Sequence, residues 1–128
     1  MRSTPTTKPA TLGPWTDAEN LVVCAAYGRL LMPELQGEPK PNKSAARREG
    51  LAAMAATRDD NAQRSPGSWE MKCCNISAVM RAAGLPWVDG YKPLGHGQAA
   101  PLARALVTVL LAHGFDDDQV ARMEALTR

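Results

Sequence analysis

The chain has 128 residues, a formal net charge of +2, and 45% hydrophobic but only 5% aromatic residues. A chain of that length holds one domain with a modest core and leaves no room for a second large one. Alanine supplies roughly one residue in six, well above its usual share. Such a mixture favours closely packed helices over a sandwich or barrel, which lean on aromatic and β-branched residues. The longest apolar run, around 105–112, is too short to span a bilayer. Met1–Gly13 has no apolar stretch of the kind a secretory signal needs. Three cysteines without such a signal point to a reducing, cytoplasmic setting with no disulfide framework.

In chain order, residues 1–14 read as a disordered leader of Ser, Thr, Pro and Lys, and order is expected from Trp15 onwards. Thr16-Asp17-Ala18-Glu19 has the form of a capping box. It opens a first helix over 17–35, with Leu21, Cys24, Tyr27, Leu31 and Leu35 at helical spacing and Pro33 as the place to bend or end. Asn42 caps a second helix near 43–57, with Leu51 and Met54 inward and Lys43, Arg47 and Arg48 outward. Residues 59–67 read as a loop. Ser68 is expected to cap a third helix with Glu70 in its first turn and Gly84-Leu85-Pro86 as its stop. Asp89-Gly90 predicts a turn in a short hairpin or ordered arm. A fourth helix over 100–113 starts with Pro101 in its first turn, and Asp116…Gln119 caps a fifth over 117–126. The expected fold is mainly α: a small bundle of about five helices, like a helix-turn-helix with a wing after the third. It forms a single unit over 15–128.

Catalytic constellations are sparse. Cys24 and His113 fall on apolar stripes, where a core role is the ordinary one. Cys73 and Cys74 are helical neighbours whose side chains diverge by about 100° and cannot share a site. No Cys-x-x-Cys, phosphate loop or calcium loop occurs, so no metal, cofactor or enzymatic activity is expected. Charge points elsewhere. Residues 29–92 carry ten basic and seven acidic side chains, a net +3. Lys43, Arg47, Arg48, Arg58, Arg64, Lys72, Arg81 and Lys92 lie in that region, and Lys72 and Asn75 stand three residues apart on one helical face. Lys contacts phosphate or guanine and Asn reads adenine, so double-stranded DNA is a candidate partner. The same charges can equally be a solvated face.

The string Gly67-Ser68-Trp69-Glu70-Met71-Lys72-Cys73-Cys74-Asn75-Ile76-Ser77-Ala78-Val79-Met80 is followed by Gly84-Leu85-Pro86 and Gly90-Tyr91-Lys92-Pro93. With Trp15–Glu19, Glu34-Leu35 and Gly37, and Asn42-Lys43 upstream, it resembles the N-terminal head domain of McrA-like, modification-dependent restriction endonucleases of the HNH type. The likeness spans about residues 15–98, leaving 99–128 as a C-terminal helical pair. It departs from the family pattern at Met71, Cys73 and His96-Gly97. The resemblance implies a DNA-linked defence context and a free-standing head without the nuclease. Glu70, Lys72, Asn75, Tyr91 and Lys92 are the matching polar positions.

Two functions are therefore expected to compete. One is a non-catalytic DNA-binding module in a restriction, defence or mobile-element setting, holding phosphates through Lys43, Arg47, Arg48, Arg64, Lys72, Asn75 and Lys92. The other is a small inhibitor or adaptor, an anti-defence factor included, that engages a nuclease or CRISPR-type complex. An enzyme using Glu70, Lys72 and His96 is a distant third. Beside all of these stands a structural account of the motif: Glu70 pairs with Lys72 or Lys92, Asn75 braces the hairpin, and Tyr91 packs over the third helix.

Overall fold

The computed structural model describes residues 12–95 and 99–128. The leader expected over 1–14 lies, up to residue 11, outside the described residues, as do His96 and Gly97. Five α-helices follow one another: α1 (Asp17–Leu35), α2 (Lys43–Ala56), α3 (Pro66–Ala82), α4 (Ala99–Ala112) and α5 (Asp117–Glu124), with a 3-10 turn at Ala125–Thr127. No strand occurs among the described residues. None of these helices is long and apolar enough to cross a membrane.

Local sequence signals set most helix ends. The Thr16 hydroxyl accepts from the Glu19 amide at 3.1 Å, and the Thr16 amide donates to Glu19 Oε1 at 3.0 Å, completing the capping box. Asn42 caps α2 through the Ala45 amide, and Asp116 with Gln119 forms a second capping box on α5. The start of α3 departs from expectation: Ser65, not Ser68, is its N-cap, and Pro66 occupies the first turn. Proline's fixed φ and missing N–H suit that position, so Pro66-Gly67 belongs to the helix and not to a loop. Glu70 consequently lies beyond the first turn, which holds no acid. The stop is as expected, with the Leu85 amide donating back to the Met80 carbonyl at 2.9 Å.

Helix α1 sits at the centre and packs against α2, α3 and α4. That position explains a second departure. Leu21 and Leu35 from the expected stripe are exposed, while Val23, Ala26 and Leu30 join Cys24, Tyr27 and Leu31 inside. A helix contacted on several sides buries a wide arc and not a narrow stripe. Pro33 does not end α1, which continues through Leu35. Helix α2 approaches α3 over Gly50, where an added Cβ would overlap the Trp69 indole. Helices α4 and α5 close the core with Leu102, Leu106, Leu110, Val120 and Met123.

The segment after α3 is an arm without a ladder. A turn forms at Val88–Tyr91, its Tyr91 amide reaching the Val88 carbonyl at 3.2 Å, and Gly90 has φ +97°. Gly90 is the only turn residue with positive φ, so Asp89 keeps an ordinary φ. A two-residue hairpin of the expected kind needs positive φ at both central positions to match strand twist. The flanks therefore splay, and helices hold the arm. The Val88 amide donates to the Tyr27 hydroxyl at 2.8 Å and the Asp89 amide to Glu34 Oε2 at 2.9 Å. On the α3 side, the Leu94 amide donates to the Cys74 carbonyl, and Asn75 Nδ2 donates to the Leu94 carbonyl.

Candidate nucleic-acid interface

The basic residues expected to act together separate into two groups. Arg64 is buried: its Nε donates to Glu19 Oε2 at 2.8 Å and an Nη to Oε1 at 3.0 Å. The same guanidinium caps the carbonyls of Gly13 and Pro14, both at 3.1 Å. Arg64 is thereby corrected from a phosphate contact to an internal brace. Burial pushes the Glu19 carboxyl upward, but Arg64, the Thr16 amide and Arg58 together hold it below its ordinary value. Arg58 is also engaged, with Asp60 at 2.9 Å and Glu19 at 3.5 Å.

Lys72 and Asn75 do not form a reading face. Lys72 is half-buried, with Nζ 4.7 Å from the centroid of the Trp15 ring. Burial lowers its affinity for a proton, and neighbouring Arg64 lowers it further. Asn75 spends its amide on the Leu94 carbonyl, so it is corrected from a base reader to a brace of the arm. Tyr91 is buried and stacks with Tyr27 at a centroid separation of 6.2 Å. Burial raises the Tyr91 hydroxyl, and the adjacent Cys73 thiol adds to the effect. Glu70 is exposed and forms no ion pair with Lys72 or Lys92 among the described residues.

What remains together is a cationic corner at the start of α2. The Lys43 ammonium lies 4.2 Å from the centroid of the Tyr91 ring. Lys92 is the next residue along the arm and is exposed, and Arg47 and Arg48 occupy the following turn of α2. No acid pairs with any of the four within 4.0 Å among the described residues. The first turn of α2 holds no acidic residue either, so the positive end of its dipole adds to the field there. Arg47, expected outward, is corrected to a half-buried side chain whose Nε is enclosed without a hydrogen-bond partner, because it shares the α2 face of Gly50, Leu51 and Met54, while Arg48 is exposed.

The thiols are shielded. Burial pushes Cys73 up to about 12 and Cys24 higher still, and raises Cys74 as well. A thiolate is the nucleophile in cysteine chemistry, and these surroundings disfavour it at neutral pH. His113, like Cys24, belongs to the packing: a Cβ added at Gly28 would come within 2.9 Å of its Nε2.

The side chain missed in the sequence is Tyr27. Its hydroxyl, buried between α1, α3 and the arm, meets Ser77 Oγ at 2.7 Å while accepting from the Val88 amide. Burial raises it to about 12, so it stays a neutral hydroxyl. A tyrosine on an apolar stripe was the available signal, because a buried phenol normally finds a partner.

Fold and surface together define a small helical protein whose arm is bolted to α1 and α3 beside one cationic corner. Comparison with protein-family models, curated proteins and solved structures finds no match to this chain.

Proposed function

We propose that the protein is a non-catalytic DNA-binding module that grips the phosphate backbone through Lys43, Arg47, Arg48 and Lys92. The setting is restriction, defence or mobile-element biology, as the resemblance to endonuclease head domains implies. The observation that carries the reading is the corner itself: four cations without ion-pair partners among the described residues, carried by the first two turns of α2 and by the arm residue next to Tyr91, over which Lys43 lies. Phosphate neutralisation by such a group supplies sequence-independent affinity. Asn75 is occupied by the arm and Arg64 by Glu19, so little base discrimination is expected.

Fluorescence anisotropy of a labelled duplex over a salt series tests this. Four phosphate contacts correspond to a slope of log affinity against log salt of about −3.6. Absence of duplex binding at low salt overturns the proposal.

One observation favours a second reading, an inhibitor or adaptor that engages a nuclease or CRISPR-type complex. Met71 and Leu94 are both more than 40% exposed, and Leu94 is fixed on α3 by hydrogen bonds to Cys74 and Asn75. Covering exposed apolar side chains removes them from water, which favours a protein surface over a phosphate backbone as their partner. Capture of a nuclease complex that is lost in Met71→Asp, with no duplex binding, supports this second reading.

A further inference from the structure

A cavity of about 220 Å³ opens between the start of α1, the middle of α3 and the first turn of α4. Pro14, Trp15, Asn20, Lys72, Pro101 and Leu102 line it. The volume is below the roughly 300–1,000 Å³ of pockets for drug-sized ligands. That suits a molecule smaller than the usual drug-sized ligand.

Its polar groups are unusual for a wall that serves only packing. Asn20 is 3% exposed, yet its Oδ1 has no hydrogen-bond partner among the described residues. An enclosed, unsatisfied amide oxygen has given up water without a replacement, and such groups are rare in native proteins. Lys72 stands on the same wall, over the Trp15 ring, and no carboxylate reaches within 4.0 Å of it among the described residues. Glu19 attracts Lys72 only through space, because its oxygens are hydrogen-bonded by Arg64 and the Thr16 amide. The cavity thus joins an ammonium with no carboxylate at hydrogen-bond distance among the described residues, an amide with a free oxygen, and an apolar floor of Trp15, Pro101 and Leu102.

We infer that this cavity is a binding site for a small organic carboxylate bearing one further polar group. The carboxylate accepts from Lys72, the second polar group meets the Asn20 amide, and the carbon body lies against Trp15 and Leu102. The Asn20 Oδ1 is free to accept from that second group. Binding supplies both partners that the free protein lacks. The site is separate from the cationic corner, and its occupancy does not depend on whether duplex DNA binds there.

N-acetylglycine is the probe, since it joins a carboxylate to one amide on a body of suitable size; its methyl ester removes the charge and adds one methyl group. The Trp15 indole N–H signal is followed in two-dimensional nitrogen–proton spectra, and identified by its loss in Trp15→Phe. A saturable shift is expected with the acid, and binding at least about tenfold weaker with the ester, the loss of one hydrogen bond to a charged group. Lys72→Met, which keeps an unbranched side chain and removes the charge, is expected to abolish the preference for the acid. A response that never saturates, that is equal for acid and ester, or that persists unchanged in folded Lys72→Met overturns the inference. If Lys72→Met does not fold, the acid–ester comparison on the unaltered protein decides alone.

Discussion

Glu19 and Arg64, 45 positions apart, meet through two hydrogen bonds inside the protein, and the same Glu19 closes the capping box of α1. One carboxylate therefore ties three things together: the start of α1, the loop before α3, and the chain entering at Gly13 and Pro14. Removing either partner leaves an uncompensated buried charge, which costs about 3–5 kcal/mol. Arg64→Met is expected at the low end of that range, because Arg58 still reaches Glu19 at 3.5 Å. Urea unfolding followed by circular dichroism measures the loss. A stability change below 1 kcal/mol, on the order of a surface pair, would show that the contact is not a brace.

The same carboxylate predicts acid sensitivity. Its folded-state pKa lies below the ordinary 4.5, so its contribution is complete above that value. The contribution is lost as pH falls from 4.5 through the depressed folded value, because the unfolded chain binds the proton first. Thermal unfolding between neutral and strongly acid pH is expected to steepen in that window. Glu19→Gln should flatten the dependence there while lowering stability at neutral pH. Asp60, held near 2 by Arg58 and the Ala62 amide, loses its own surface contribution between 3.8 and about 2, so the comparison with Glu19→Gln is what isolates Glu19.

Tyr27→Phe removes one oxygen and strands two groups, the Val88 amide and Ser77 Oγ. The expected cost is about 1–3 kcal/mol. Hydrogen exchange localises it: the Val88 and Tyr91 amides should exchange faster than in the parent protein, while those of α4 keep their relative protection. Uniform acceleration across all helices would mean that Tyr27 stabilises the core as a whole and not the arm.

At Gly50 a side chain meets the Trp69 ring directly. Gly50→Ala adds helix propensity to α2 but forces the two helices apart. Overpacking of this kind costs about 1–3 kcal/mol, more than the gain of up to about 1 kcal/mol from replacing glycine in a helix. Net destabilisation in urea is the expected outcome, and a more stable variant would show that α2 and α3 have slack.

Within the proposed DNA grip, Lys43→Ala and Lys92→Ala should each reduce the salt slope by about one, uniformly across duplex sequences. Arg64→Met, which removes a cation that is buried, should leave the slope unchanged. A slope that falls with Arg64→Met in a folded protein would return Arg64 to the interface.

Helix ends and helix identities were readable from residues three and four apart, because caps and apolar spacing act within one turn. Thr16 with Glu19, Asn42, and Asp116 with Gln119 all perform the capping their types announce. Ser65-Pro66 carried the true start of α3 just as locally, but the reading as a loop gave Pro66-Gly67 the wrong weight. The motif Asn75…Tyr91 was visible as a pattern, and its structural explanation was the one realised at Asn75, which braces the arm. Its chemistry was ambiguous because Lys and Asn on a helix serve a surface and a brace equally well.

By itself, then, the sequence determined a small, alanine-rich, five-helix protein, since local backbone preferences and amphipathic spacing require no distant partner. The tertiary structure alone decided which cations stay free. Arg64 and Lys72 look no different in sequence from Lys43 and Arg48, yet packing places one against Glu19 and the other against Trp15. A charge's availability depends on what lies within about 4 Å of it and on how much water it keeps, and both are set by residues tens of positions away.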